Sequence, residues 1–523
     1  MHWHICAITK RPEGDPKVVI MRHILILFLL FGAIHFDDPV VYGRVADDLW
    51  YNGSVEDAFK KAKKQEKPIF LYWGAVWCPP CNEIKSQVFS KPRFKAVMKP
   101  FVSVYLDGDT DRAQVWGEKL NVRGYPTILI YNPKGEEVMR IDSGLNMAEF
   151  EEAIASALKS RRSFREAVKL VRNGKASDDD WQILASMSWG QLHNQTFEEG
   201  EKLRILGELI PIVPTPLDRV NARLRAKWLS EALRAAKDQK FNKDLDASVG
   251  EHLNYLLDQQ SRVMTVRNLL IYSGASIISK LSSATASTWE PRIAKAVDSI
   301  AKLGDLSVDQ KLWARVFKWQ IQKKVFPDLA PSPRLKSMIL DAVKDADAEA
   351  KSKFERHAVI SNAAYLLRQA GLFRDAEKLL LKEIKTTDTP WYYYSGLSRI
   401  ATAQGRHQEA GAYMTKAKDS AKGRATKLQW VVSDLLFIAD QEGVSSPKNL
   451  EPVVHEYYKI AVALPDGFLG RNGLRARRVA KGLSSKLDQP GLKKILLSYR
   501  GKCGRLKGVN GTRCQEHFKT MGL

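Results

Sequence analysis

The sequence predicts two architectures in one chain, an α/β domain followed by a large all-α domain of helical repeats. Three observations predict it. Short apolar runs rich in branched and aromatic residues, the pattern of buried strands, occur at 68–73, 102–106, 127–131 and 138–141 and interleave with amphipathic segments. Past residue 160 such runs vanish, and about 340 residues read as amphipathic helices broken by short Gly-, Pro- or Asp-rich turns. Within them, Ala370-Gly371-Leu372-Phe373-Arg374-Asp375-Ala376 matches Gln404-Gly405-Arg406-His407-Gln408-Glu409-Ala410 at an offset of 34 residues, a spacing that signals stacked helical units.

Taken in order, residues 1–43 read as an N-terminal extension and leader. The first twenty residues show no periodicity; Met21-Arg22-His23 then opens a basic start, and the apolar run from Ile24 to Ile34 follows. That run is too short for a spanning helix, which needs roughly 20 residues, and fits a secretory signal. Val41-Tyr42-Gly43 suits a signal peptidase, so cleavage is expected near Gly43, with Met21 a candidate true start and an uncleaved anchor the alternative. Loss of the leader would remove Cys6 and leave Cys78, Cys81, Cys503 and Cys514, an even set that suits an oxidising compartment.

Residues 44–160 form the α/β segment. Ser54 with Asp57 reads as a capping box opening a helix through Lys64, Asn132-Pro133-Lys134-Gly135 as a hairpin turn, and Asn146 with Glu149 as the cap of a helix through Lys159. Asp107-Gly108-Asp109-Thr110-Asp111 has the look of a calcium loop but lacks the length and the distal glutamate, so it reads as a turn.

The chemistry concentrates at Trp77-Cys78-Pro79-Pro80-Cys81. The C-x-x-C spacing also makes half a zinc knuckle, so its flanks decide. A strand-like run precedes it, and Ile84, Val88 and Phe89 share one helical face after it, which puts the pair where a strand hands over to a helix. Pro79 and Pro80 suit a first turn whose N–H groups have no intrahelical partner. Free N–H groups and the helix dipole favour a thiolate at Cys78, the expected nucleophile, while Cys81 one turn on can resolve a mixed disulfide.

Downstream, Val122-Arg123-Gly124-Tyr125-Pro126-Thr127 leads into the run Ile128-Leu129-Ile130-Tyr131. With the C-x-x-C pair, this resembles the thioredoxin-like family over residues 45–159. Val88-Phe89-Ser90-Lys91-Pro92-Arg93-Phe94 followed by Phe101-Val102-Ser103-Val104-Tyr105-Leu106-Asp107 resembles the C-terminal domain of the bacterial reductant DsbD and its soluble relatives. The resemblance implies a thioredoxin-like fold, a redox-active Cys78–Cys81 pair with no further cofactor, a cis proline at Pro126, and a substrate seat formed by Trp77, Tyr125 and Pro126. It departs at Tyr72, six residues before Cys78, where thioredoxin carries a buried carboxylate. Glu83, a water or the substrate must then accept the Cys81 proton, and for Glu83 the plain alternative is a solvated charge near a helix start.

Residues 161–500 form the helical domain, with expected helices at 163–171, 217–236, 291–303 and 308–324. The 34-residue offset is the tetratricopeptide period, with units near 357–424, and Gly371, Ala376, Gly405, Ala410 and Ala417 fall where paired helices approach closely in that family. Such an array buries its faces only by stacking, so a curved solenoid with a peptide-binding concavity is expected, a purely structural spacer being the alternative. Residues 501–523 read as a tail in which Cys503 and Cys514 form a structural disulfide; a second redox site and one zinc held by all four thiols are the alternatives.

Lysine and arginine outnumber acids 82 to 59, a net charge of +23, and from Arg471 onward fourteen basic residues face two acidic ones. That surface suits anionic headgroups or acidic proteins, or else is simply a solvated face; no aromatic stripe accompanies it, and nucleic acid is not an expected partner of an exported protein. No P-loop, G-x-S-x-G, H-E-x-x-H or G-x-G-x-x-G is present, and the ten scattered histidines suggest no metal. The sequence thus points to an exported, periplasmic or secreted thiol-disulfide oxidoreductase. It would act on protein disulfides with a thiol electron donor, reducing or isomerising them, and its helical domain would grip a partner. A redox-sensing scaffold with little turnover is the alternative.

Overall fold

The computed structural model describes residues 47–523 apart from 123, 193–196, 199, 303–304 and 441–445. The expected leader, its cleavage near Gly43, the Met21 start and Cys6 lie outside the described residues. Among the described residues, no helix is long and apolar enough to cross a membrane.

Helix α1 (Val55–Lys64) begins where the Ser54 hydroxyl accepts the Asp57 N–H at 3.0 Å, satisfying one of the open donors of the first turn. It leads to β1 (Ile69–Gly74), whose six residues are all buried. Helix α2 (Pro79–Ile84) follows and continues as one π-turn, Lys85–Phe89, before α3 (Pro92–Met98) and β2 (Val102–Asp107). Helix α4 (Asp111–Lys119), the hairpin β3 (Thr127–Tyr131) and β4 (Glu137–Ile141), and α5 (Met147–Ser160) complete the unit. The expected capping box is complete at α5: Asn146 accepts the Glu149 N–H, and Glu149 accepts the Asn146 N–H.

The four-stranded sheet runs β2-β1-β3-β4, with β1 parallel to β2 and antiparallel to β3. Side chains alternate across it. Leu71, Trp73, Val104 and Leu129 face α1 residues Val55 and Ala58, while Phe70, Tyr72, Ile128 and Ile130 face Phe89, Phe94 and Phe150. The second face is larger than one small domain requires. Its core continues past residue 160 through Trp181, Met187, Leu206, Trp228 and Leu270 to Ile321, and Ser188 N–H donates to the Arg140 carbonyl at the sheet edge. The change from strands to helices at residue 160 is a change of pattern, not a gap in packing.

The helical region departs from the expected elements in three places. The helix expected over 308–324 divides into Val308–Arg315 and Phe317–Val325 at Val316 (φ −96°, ψ 14°). The break lets Leu312, Val316 and Trp319 join one core while Phe317 and Ile321 join the one shared with the sheet. Second, Gly371 and Gly405 are not sites of close helix approach. They end helices at φ +75° and +71°, with no atom nearer than 4.0 Å to an added Cβ, so the left-handed turn is what selects glycine. Ala376, Ala410 and Ala417, on the helices that follow these turns, are fully buried. Third, the helix expected over 291–303 begins at Ser283 and takes in Pro291. Cys503 and Cys514, Cα atoms 5.5 Å apart, form a disulfide that ties down the helix Gly508–Lys519, whose Phe518 packs on Tyr458.

Helices Lys353–Gln369, Phe373–Ile384, Pro390–Ala403, His407–Ser420 and Arg424–Asp440 pack each on the next. Those beginning at Phe373 and His407 start 34 residues apart, as do those beginning at Pro390 and Arg424. The fold is therefore an α/β unit joined through a common core to a stack of helices.

Candidate active site

The end of β1 and the start of β3 lie side by side, because Trp73 pairs with Thr127 in the antiparallel register. The segments attached to those ends, 75–81 and 124–126, therefore meet at one end of the sheet. Cys78 is the N-cap of α2, its Sγ accepting the Cys81 N–H at 3.3 Å, with Pro79 and Pro80 in the first turn. Cys78 and Cys81 form a disulfide with Cα atoms 5.2 Å apart. Asn82, fully buried, pins the preceding turn by donating to the carbonyls of Val76 (2.8 Å) and Cys78 (3.0 Å). An N–H aimed at Cys78 Sγ from the helix start is the local device that favours a thiolate once the disulfide opens.

Opposite, the Tyr125–Pro126 peptide bond is cis. Tyr125 packs against the Cys78–Cys81 cluster, meets the Trp77 ring edge-on at 5.6 Å, and donates its hydroxyl to the Gly108 carbonyl at 2.9 Å. Burial pushes its phenol up to about 12. The Pro126 carbonyl accepts from Gln191 at 3.1 Å. The structure thus brings Trp77, Cys78, Cys81 and Tyr125 into one cluster, with Pro126 at the adjoining strand start.

Two carboxylates lie near this cluster, and neither is placed as the sequence suggests. Tyr72, where the family carries its buried acid, is itself buried and held protonated by desolvation, with a hydroxyl that makes no hydrogen bond. Glu83 is not a solvated charge. It points into the helical region, accepts from Ser307 at 2.8 Å, and is raised by burial and by nearby Asp309. Glu83 and Asp309 share the wall of a cavity of about 670 Å³ that reaches Pro79, Pro80 and Tyr392.

The second carboxylate, Asp109, sits in the turn read as an ordinary loop. Trp77 Nε1 donates to its two oxygens at 3.1 and 3.0 Å, and the Thr426 hydroxyl donates to it as well. Burial and neighbouring Asp107 raise its pKa. A buried acid beside the residue preceding the nucleophile was not legible from the spacing of the 107–111 acids.

The largest departure concerns access. Cys78 is 3% exposed and Cys81 fully buried, so the first cysteine is not open to solvent as a strand-to-helix turn alone implies. Trp391, Met414, Ala417 and Trp430 of the helical region close over them, and Tyr392 stacks on Trp77 at 5.9 Å. Arg471 lies 3.9 Å above the Tyr125 ring, and Arg475 donates to Asn472 at 2.7 Å with its guanidinium pushed down to about 10 by burial. The basic run is therefore two-sided: Arg471 and Arg475, one helical turn apart, face the site, while Arg477, Arg478 and Lys481 are exposed. The run Trp391-Tyr392-Tyr393-Tyr394 at a helix start was the one sequence signal for this cover.

No group of three or more His, Cys, Asp or Glu residues is placed to hold a metal among the described residues. The α/β unit, with a cysteine pair at the N-terminus of a helix and a cis proline at the neighbouring strand, is the arrangement of a thiol-disulfide oxidoreductase of the thioredoxin kind. Residues 55–158 match the family model of a thioredoxin-like domain, and the chain carries that domain at those residues. The same region is similar to thiol:disulfide interchange protein DsbD of Campylobacter jejuni, 26% identical over 144 residues, which is 26% of this chain and 25% of the relative. It is also similar to DsbD of Vibrio cholerae (26% over 147 residues; 26% and 24% of the two chains) and of Salmonella typhimurium (33% over 78 residues; 14% of each). The chain spans about a quarter or less of the length of these relatives, and the matches leave most of its helical region uncovered.

Proposed function

We propose that this chain is an exported thiol-disulfide oxidoreductase that reduces or isomerises disulfides in envelope or secreted proteins. The observation that carries the reading is the Cys78–Cys81 pair at the start of α2, packed with Tyr125 beside the cis Pro126. In the reducing direction, the Cys78 thiolate attacks one sulfur of a substrate disulfide, forming a mixed disulfide and expelling the other substrate sulfur as a thiolate that takes up a proton. Cys81 then gives up its proton, attacks Cys78 Sγ and releases the second substrate thiol, leaving Cys78–Cys81 oxidised. Two electrons pass to the substrate, and an external thiol donor restores the pair. Glu83, two residues from Cys81, accepts from Ser307, and Asp109 accepts from Trp77, the residue before the nucleophile.

Reduction is favoured by the proline directly before Cys81, a feature shared with reducing members of the family. The DsbD likeness, with the even cysteine count that loss of the expected leader would leave, supports a location outside the cytoplasm, and the stacked helices support a role in holding a protein partner. Capture of mixed disulfides on Cys81→Ala in the cell envelope tests the reading. Client proteins bonded to Cys78 are expected; a variant that traps none, although its Cys78 reacts with a small disulfide, would overturn it. A potential against glutathione near about −120 mV would reverse the direction.

The burial of Cys78 favours a second reading, a redox-sensing helical scaffold with little turnover. Cys78→Ser separates the two: a scaffold whose binding does not need the thiol keeps its partners, and an enzyme loses turnover.

A further inference from the structure

The helices that cover the cysteine pair occupy the surface on which a thioredoxin-like domain receives its substrate. We infer that the face formed by Trp391, Tyr392, Met414, Thr426, Trp430 and Arg471 is a docking surface for a redox-active thioredoxin-like face, filled in cis by this chain's own domain, so that a disulfide-bearing polypeptide reaches Cys78 only by displacing it. That Cys78 is the reacting sulfur rests on the oxidoreductase reading; the shielding itself does not.

The contacts are of the kind that make a specific interface. At its centre lies an apolar cluster of Cys78, Cys81 and Trp77 with Trp391, Met414, Ala417 and Trp430. Around it, Trp77 Nε1 also donates to Thr426 at 3.2 Å, Thr426 donates to Asp109, and Arg471 covers Tyr125. An aromatic centre ringed by polar contacts is the usual anatomy of a protein–protein hot spot. The residues so covered on the α/β side, Trp77 and Tyr125, are those read independently as the substrate seat.

Two features show that this surface is not fully matched by its present occupant. Trp391 Nε1 and Trp430 Nε1 are buried without hydrogen-bond partners. Opening lets both donate to water or to a polypeptide carbonyl, which offsets part of the loss of apolar contact. Closure also silences the chemistry. No substrate disulfide fits above a sulfur that is 3% exposed. The closed state is thus inert whether the pair is oxidised or reduced, and release of the helices is what arms it.

The test is the rate at which iodoacetamide modifies Cys78 in the reduced full-length protein, read by peptide mass spectrometry, with Thr426→Val and Trp430→Ala beside the wild type. Thr426→Val keeps the side-chain shape and removes only the hydroxyl, so it reports on the interface even if Trp430→Ala fails to fold; circular dichroism identifies that failure. Modification of the wild type is expected to be much slower than of a cysteine-containing peptide. In Thr426→Val it should rise by about tenfold or more, since the hydroxyl's two interfacial hydrogen bonds, to Trp77 and to Asp109, are both lost. A wild-type rate equal to the peptide's, or a rate unmoved in folded Thr426→Val, overturns the inference. Faster modification without any disulfide reduction would uphold it while removing the oxidoreductase reading, so the two fail separately.

Discussion

Trp77 Nε1 donates to the Asp109 carboxylate at 3.0 Å, and the same carboxylate accepts from Thr426, 317 residues away in sequence. One buried acid thereby holds both the residue before the nucleophile and the helix that covers it.

This relationship predicts a pH-dependent cover. Burial and Asp107 raise Asp109 to about 7, against the lowering influence of Thr426, Trp77 and Arg471; Lys85 and Arg475 also feel its charge. A carboxyl with a raised pKa is favoured protonated in the closed state. Closure is therefore most stable below the ordinary carboxylate range and loses stability as pH rises through the raised value. Cys78 alkylation should accelerate between pH 5 and 8, after division by the thiolate fraction measured in the unfolded chain, by about tenfold or more. Asp109→Asn, which keeps an oxygen for Trp77, should flatten that profile; an unchanged profile would argue against Asp109 as the titrating group.

The α/β and helical parts are joined by a buried ion pair. Arg267 Nη1 and Nη2 donate to the two Glu149 oxygens at 2.6 and 2.7 Å, and both residues are at least nine-tenths buried. Although burial pulls the Glu149 carboxyl up, Arg267 holds it below its usual value. Arg267→Ala should cost about 3–5 kcal/mol, since it strands a buried carboxylate. Chemical denaturation measures the loss. Glu149 has a depressed folded pKa, so its contribution is present above the ordinary glutamate value and is lost as pH falls through the folded one.

The Cys503–Cys514 disulfide closes a short loop within the core formed by Tyr458, Tyr499 and Phe518. Replacing both cysteines by serine should lower stability by about 3 kcal/mol in the loop-entropy description. Denaturation under oxidising conditions should show the loss, while disulfide exchange at Cys78 continues. A double variant as stable as the wild type would mean that the surrounding core alone holds this segment.

On the exposed side of the helix Gly470–Leu483, Leu474, Arg477, Arg478 and Lys481 follow helical spacing, and Lys493, Lys494, Leu497 and Arg500 do so on the helix Pro490–Arg500. A leucine set among lysines and arginines suits an anionic membrane surface, each cation contributing about 1 kcal/mol at low salt. Cosedimentation with phosphatidylglycerol vesicles is expected, weakened by salt and by Arg477→Glu with Arg478→Glu. Equal binding to neutral vesicles would exclude the charge-based contact.

The sequence determined what local pattern can encode. Short apolar runs rich in branched and aromatic residues marked the strands, Asn146 with Glu149 marked the α5 cap, and Cys78-Pro79-Pro80-Cys81 at a strand-to-helix junction marked the candidate reactive pair. Each of these signals is complete within about ten residues, because backbone hydrogen bonding and side-chain periodicity act over one or two turns. Tertiary structure alone decided that Gly371 and Gly405 serve left-handed turns, that Glu83 faces Ser307, and that Arg471 and Arg475 turn inward while Arg477 and Arg478 do not. Above all it decided that Cys78 lies under Trp391 and Trp430. Trp77 and Thr426 are 349 residues apart, and which apolar face covers which is settled by the shape and charge of surfaces that exist only after both parts have folded.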